Sequence, residues 1–211
     1  MGERVSMSVH NIVFDMGGVL LDWNPFSYAS QVSDSQEDAD LIFEALFMNH
    51  AWSLGDSGTL SDQWVLESAL SKLPERLHRA CEVAWRTYPE MQAVISETNE
   101  LGRQLHEAGF GVYILSNVSN RFREELEPRI PLSSCTDGIL ISAEELLMKP
   151  DPRIFTRFCQ RFDVDADDCL FVDDLELNCQ GARAAGWHAF QFNGAIEPLK
   201  CEVSKLMGFN C

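Results

Sequence analysis

An α/β fold, with a parallel sheet wound on both faces by helices, follows from three features of the 211-residue sequence. Five short runs are continuously apolar rather than alternating, as strands covered on both faces require. Helical apolar spacing separates most of these runs, giving the strand–helix alternation of a doubly wound sheet. Glycine or paired polar residues then cut the runs off abruptly.

Val9-His10-Asn11-Ile12-Val13-Phe14 is β-rich and ends at Asp15, where Gly17-Gly18 breaks it. From about 24 to 88 the pattern changes. Ile42, Leu46 and Phe47, then Trp64, Leu66 and Leu70, recur at helical spacing. Ser61-Asp62-Gln63-Trp64 reads as a helix start with Ser61 as N-cap, and Pro74 and Pro89 punctuate the tail. Residues 24–88 are therefore read as a helical insert after the first strand, leaving 1–23 and 89–211 as the doubly wound α/β core domain. Val94, Ile95, Leu101 and Leu105 predict a helix over 91–108, stopped by Gly109. Gly111-Val112-Tyr113-Ile114-Leu115 is the second strand, halted by Ser116-Asn117, and the weaker Gly138-Ile139-Leu140-Ile141 is the third. A helix over 151–163 carries Ile154, Phe155 and Phe158, with Pro152 near its start, where proline is tolerated. Cys169-Leu170-Phe171-Val172 ends at Asp173-Asp174, a helix over 176–186 ends at Gly186, and the run from Trp187 to Phe192 is the fifth strand. No internal repeat or low-complexity segment interrupts this order.

Composition narrows the function classes. A hydrophobic content of 45% is enough to build a buried core. The net charge of −17 disfavours nucleic acid or an anionic membrane as partner, because phosphate backbones attract Lys and Arg. An anionic ligand must then be handled locally, by a metal ion or a few aimed donors. No run of about 18 apolar residues exists to span a membrane, and the first ten residues lack the layout of a secretory signal. Met1-Gly2-Glu3-Arg4-Val5-Ser6 matches the loose N-myristoylation pattern, read as chance, a tag remnant or an early start before Met7. The seven cysteines are scattered, without zinc-type spacing, and read as thiols in a reducing, cytoplasmic compartment. A monomer or homodimer is expected.

In an open α/β sheet, ligands bind beyond the carboxyl ends of the strands. The polar residues there are Asp15, Ser116-Asn117, Lys149-Pro150 and Asp173-Asp174. Carboxylates so grouped repel unless a cation sits among them, and oxygen-only ligands suit Mg²⁺. What remains is a metal-bound anion held by Ser, Asn and Lys, with a carboxylate free to attack it.

Phe14-Asp15-Met16-Gly17-Gly18-Val19-Leu20, Leu115-Ser116-Asn117, Lys149-Pro150 and Phe171-Val172-Asp173-Asp174 resemble the four ordered motifs of the haloacid dehalogenase-like phosphohydrolases. The resemblance implies a Rossmann-like core, a small helical cap at 24–88, Mg²⁺ dependence and an aspartyl-phosphate intermediate. It makes Asp15 the nucleophile and a Mg²⁺ ligand, with Met16 and Gly17 beside the phosphoryl group and the Gly17 carbonyl on the metal. Asp173 would bind the metal, with Asp174 joining it or holding a metal-bound water. Ser116 and Asn117 would hydrogen-bond the phosphoryl oxygens, and Lys149 would neutralise charge between phosphate and Asp15. The family's first motif normally reads Asp-x-Asp, the second Asp serving as general acid, and here Gly17 takes that place.

Three accounts of Gly17 compete. The chain resembles the subgroup whose first motif is Asp-Leu-Gly-Asn, typified by an α-D-glucose-1-phosphate phosphatase, and Gly58-Thr59-Leu60-Ser61 is similar there too. A sugar phosphate such as a hexose 1-phosphate, with its good leaving group, would suffer least from a missing acid. Alternatively Asp22, His50 or Asp56 replaces the acid, or the chain binds a phospho-ligand without turnover. A 2-haloacid dehalogenase, which attacks carbon without metal, is the weaker enzyme alternative, because paired carboxylates without a cation are costly. Trp64 and Trp85 are expected in the core, whereas Trp23 and Trp52 lie nearer the cleft, with core packing the expectation there too.

Overall fold

The computed structural model describes residues 9–210, so the N-terminal Met1–Ser6 pattern and Cys211 lie outside the described residues. Strands β1 (Asn11–Phe14), β2 (Gly111–Ser116), β3 (Gly138–Ile141), β4 (Cys169–Asp173) and β5 (His188–Gln191) pair in parallel in the order β3-β2-β1-β4-β5. Helices α1 (Pro25–Gln31), α2 (Gln36–Ile42), α3 (His50–Asp56), α4 (Asp62–Leu70) and α5 (His78–Met91) follow β1. Helix α6 (Ser96–Glu107) leads into β2, and α7 (Ser142–Glu145) and α8 (Pro152–Phe162) separate β3 from β4. Helix α9 (Glu176–Ala184) joins β4 to β5, and α10 (Ile196–Met207) follows.

The strands read as continuous apolar runs because their alternating faces feed two separate cores. Ile12, Phe14, Val112, Ile114, Leu170 and Val172 point to one face, where α6 supplies Leu101 and Leu105 and α10 supplies Leu199 and Val203. Val13, Tyr113, Leu115 and Phe171 point to the other, against Ile154, Phe155 and Phe158 of α8 and Ala182 of α9. Each side chain of this kind, taken fully out of water, contributes about 1.5–3 kcal/mol. Burial on both faces removes the period-two signal and leaves the apolar run. A third cluster, including Tyr28, Ile42, Leu46, Phe47, Leu77 and Tyr88, belongs to the helices between β1 and α6.

Several boundaries differ from expectation for identifiable reasons. Ser61 does cap α4, accepting the Trp64 N–H, but α5 runs through Pro89 to Met91, past the expected end of the insert at 88. Proline at 89 has no N–H for the Trp85 carbonyl four residues earlier. The Arg121 guanidinium supplies that hydrogen bond instead, at 3.0 Å, while stacking 4.2 Å from the Trp85 ring centroid. Helix α6 starts at Ser96 rather than 91, because Val94 is extended and bridges Leu21. Trp64, expected in the core, is 63% exposed; α4 turns Val65 and Ala69 inward instead.

No described helix is long and apolar enough to cross a membrane. Cys81, Cys135, Cys159, Cys169, Cys179 and Cys201 are free thiols.

Candidate active site

Strand order and register assemble the site. The chain leaves β1, builds β2 and β3 on one side, then returns to β4 on the other, which opens a crevice at the carboxyl end of β1. Phe14 pairs with Val172, so the next residues, Asp15 and Asp173, stand side by side. Phe14 also pairs with Ile114, which brings Leu115 and Ser116 to the opposite flank. Asp15 continues the ladder by donating its N–H to the Val172 carbonyl at 2.8 Å.

At this crevice Asp15, Asp173 and Asp174 each offer an oxygen within 4.8 Å of the others. Lys149 is buried among them, its Nζ 2.8 Å from Asp15 Oδ1 and 2.7 Å from Asp173 Oδ2, with a third bond to the Leu115 carbonyl at 3.1 Å. All three ammonium protons are therefore used. Burial by itself would lower the Lys149 ammonium, but Asp15 and Asp173 outweigh it and hold it raised. Burial pushes Asp15 up to about 7; Lys149 pulls it down, and Asp173 and Asp174 push it further up. Burial raises Asp174 as well, with Asp173 adding to it.

The two motif carboxylates differ in their surroundings. Asp173 accepts from the Leu175 N–H at 2.9 Å and from Asn178 Nδ2 at 3.0 and 3.1 Å, besides Lys149. It is thus held in place as a counter-ion of Lys149 while still offering an oxygen to the three-carboxylate cluster. Asp174 lines the cleft, less buried than Asp173, with hydrogen bonds from its own and the Leu175 backbone. Gly18, at φ +70°, makes room for it: a Cβ there would sit 2.7 Å from Asp174 Oδ2.

Ser116, Asn117, Met16 and Gly17 all line the same cleft. Asn117, expected on the phosphoryl oxygens, also clamps a backbone. Its Oδ1 accepts the Lys149 N–H and its Nδ2 donates to the Lys149 carbonyl, both at 2.9 Å. A close approach of α9 secures the same loop, since a Cβ on Gly181 would meet the Pro150 carbonyl oxygen at 2.2 Å. Asn178, in the first turn of α9, was missed; its signal is a polar residue five positions after Asp173 on a helix leaving the strand end.

Gly17 itself has ordinary backbone geometry, and a Cβ there would touch only the Trp23 side chain, at 3.7 Å. The replacement acids separate cleanly. Asp22 Oδ1 accepts the Ala93 N–H, and the Asp22 N–H reaches the Ala93 carbonyl, so it ties the two ends of the insert together. His50 is exposed at the start of α3. Asp56, at the end of α3, lines the cleft with Asp15. Burial pushes its carboxyl up to about 8, against hydrogen bonds from the Ser119 backbone and the Trp52 side chain that pull it down, with Asp62 pushing up. The Ser119 bond holds this insert carboxyl against the loop that carries Ser116.

The cleft has a volume of about 590 Å³. Trp23 and Trp52, expected chiefly in packing, both line it; both lie edge to face with Tyr88, and Phe47 meets Trp23 edge to face and Trp52 at a tilt. Trp85 packs with that cluster as expected.

A family model described as haloacid dehalogenase-like hydrolase matches residues 9–186. (S)-2-haloacid dehalogenase 1 of Pseudomonas sp. strain CBS-3 is 29% identical over 198 residues, covering 88% of this chain and 85% of that protein. Sesquiterpene phosphatase astK of Aspergillus oryzae is 27% identical over 209 residues, covering 93% of this chain and 95% of that protein. The fold is shared with a HAD family enzyme of Bacteroides thetaiotaomicron crystallised with magnesium and inorganic phosphate. The TM-score is 0.68 at 18% identity, over 89% of this chain and 96% of that one.

Proposed function

The chain belongs to the haloacid dehalogenase-like hydrolases, and from that premise we propose that it is a phosphomonoesterase working through an aspartyl-phosphate on Asp15. The observation that carries this reading is the gathering of Asp15, Asp173 and Asp174 around one buried ammonium, Lys149. Three carboxylates against one cation leave an excess of negative charge, which an oxygen-liganded divalent ion offsets. The donor set fits Mg²⁺: Asp15, Asp174 and the Gly17 carbonyl would hold it, with Asp173 beside them. Bound there, it would neutralise phosphoryl oxygens that otherwise repel the carboxylates. The substrate is a small phosphorylated metabolite, with no role for nucleic acid, and the free thiols suit a reducing cytoplasm.

The chain's own residues perform two steps. An Asp15 oxygen forms a bond to phosphorus as the ester P–O bond breaks, and the leaving alcohol takes its proton from the Asp56 carboxyl. The Ser116 hydroxyl hydrogen-bonds the transferred group and the Lys149 ammonium, held on Asp15, offsets its charge, while Asn117 and Asn178 keep Lys149 and Asp173 in place. Water then attacks the aspartyl-phosphate, returns a proton to Asp56 and releases inorganic phosphate, restoring Asp15.

A 2-haloacid would need a second cation for its own carboxylate. Among the described residues lining the cleft, Lys149 is the one Lys or Arg, and its protons are taken. The test is phosphate release from p-nitrophenyl phosphate with Mg²⁺ and with EDTA, alongside halide release from (S)-2-chloropropionate. Phosphate release that stops in EDTA, without halide release, is expected. Halide release indifferent to EDTA would sink the phosphatase reading, and inertness towards both would favour a silent phospho-ligand binder.

Asp56 gives a sharper prediction. Its protonated form is the donor, so kcat/KM for an alkyl phosphate should fall as pH rises through about 8. Asp56→Asn is expected to lose about 10²–10⁴-fold on alkyl phosphates and to lack that alkaline limb. It should be nearly unchanged on p-nitrophenyl phosphate, whose phenolate leaves without a proton. Equal losses on both esters would return Asp56 to a structural role.

A further inference from the structure

The phosphoryl end of the cleft is polar, but the wall that faces the rest of a substrate is not. The insert contributes Phe47, Met48, Trp52 and Tyr88, the loop after β1 contributes Trp23, and the N-cap of α9 contributes Leu175. The rings brace one another, with centroids 5.0 Å apart for Phe47 and Trp52, 5.7 Å for Trp23 and Trp52, and 5.2 Å for Trp52 and Tyr88. The surface is therefore rigid and formed in advance of binding.

Its rim is left to water. Met48 is 60% exposed, Leu175 56% and Trp23 39%, which places three of the protein's exposed large apolar side chains around one opening. Clustered apolar surface at the mouth of a cavity marks a binding site for apolar groups, whereas scattered residues need no explanation. Polar groups on the wall are few: Ser53, Asp56 and Gln92. A hexose, with hydroxyls on every face, would lose water there without matching hydrogen bonds, at a cost for each polar group buried unpaired. A substrate with a second anion fares worse, because Lys149 is committed to Asp15, Asp173 and the Leu115 carbonyl.

Resting on the phosphatase reading above, we propose that the substrates are phosphomonoesters of bulky, uncharged, apolar alcohols, rather than sugar phosphates or phosphorylated acids. The phosphate sits at Asp15 and Ser116, and the hydrocarbon body lies along Trp23, Trp52 and Met48 and displaces water from the rim.

The test is kcat/KM, with Mg²⁺, for ethyl, butyl, hexyl, octyl and decyl phosphate, beside p-nitrophenyl phosphate, glucose 1-phosphate and phosphoglycolate. Each methylene taken fully out of water should raise kcat/KM roughly fourfold, until the chain outgrows the cleft. Octyl phosphate should exceed glucose 1-phosphate and phosphoglycolate. Met48→Arg, at an exposed position able to hold a long side chain, should lower the octyl-to-ethyl ratio and raise the rate on phosphoglycolate. A flat series while p-nitrophenyl phosphate is cleaved would overturn the apolar assignment and leave the phosphatase reading intact. Glucose 1-phosphate or phosphoglycolate outpacing octyl phosphate would do the same. Failure to cleave any ester would overturn both.

Discussion

Asp15→Asn is expected to abolish turnover, with kcat falling on the order of 10⁴–10⁶-fold, the scale seen when a covalent nucleophile is removed. The amide keeps the shape of the carboxyl but offers phosphorus no anionic oxygen. The loss should not be mistaken for unfolding. Asp15 is buried and its carboxyl is raised from the ordinary 3.8 to about 7, so the folded protein holds that proton more tightly than the unfolded chain does. The unfolded state then binds fewer protons between those values, and stability declines as pH rises from about 4 to about 7. Asparagine removes that decline, while Lys149 keeps Asp173 as its partner. In EDTA at pH 8, Asp15→Asn should melt no lower than wild type, and the two curves should converge near pH 4. A variant that keeps more than about one hundredth of wild-type phosphate release would contradict a covalent Asp15 mechanism. One that melts well below wild type at pH 8 would contradict the charge account.

What could be read from the sequence, and what could not, divides by the range of the interaction. Strands buried on both faces leave continuous apolar runs, and the polar residues ending those runs fall at one end of a parallel sheet whatever the details. Asp15, Ser116, Lys149 and Asp173 were therefore locatable. Their partners depend on which backbone lies opposite, and no local pattern records that. Asn117 looked like an anion donor, but its amide closes on the Lys149 peptide 32 residues away. Asp173 was legible as a cluster carboxylate, but its fixing by the Leu175 N–H and Asn178 was not. Pro89 looked like a stop, because only the fold reveals that Arg121 waits for the orphaned Trp85 carbonyl. Asp56 is an ordinary acidic residue in the chain, and its raised carboxyl comes from burial against a loop more than 60 residues on. The apolar wall of the cleft had the same cause: Trp23, Phe47 and Trp52 read as core residues, and the side that faces the cavity is decided by how α3 and α5 meet the loop after β1.

Lys149→Met is expected to cost both activity and stability, and the pH dependence of the second separates its causes. Methionine matches the length of lysine without its charge, so Asp15 and Asp173 would remain buried with no cation between them. Removing one partner of a buried ion pair costs about 3–5 kcal/mol, because the other charge is left uncompensated. With the ammonium gone, the Asp15 carboxyl loses the partner that pulls it down and rises further above its unfolded value. The folded state then binds more protons than the unfolded chain as pH rises above about 4, and stability is lost in that direction. Urea titration should thus show the largest deficit near pH 8 and a smaller one near pH 5, where the Asp15 carboxyl can hold a proton at little cost. A deficit equal at the two pH values would mean that Lys149 acts through packing, such as its contact over the Phe171 ring, and not through charge. Divalent cation supplies the second comparison. If the same oxygens that hold Lys149 also face the metal, Mg²⁺ should raise the melting temperature of Lys149→Met more than that of wild type, because the variant has the larger unbalanced charge. Turnover should nevertheless stay low even in saturating Mg²⁺, since a cation among the carboxylates does not replace an ammonium that Asn117 holds at a fixed distance from Asp15.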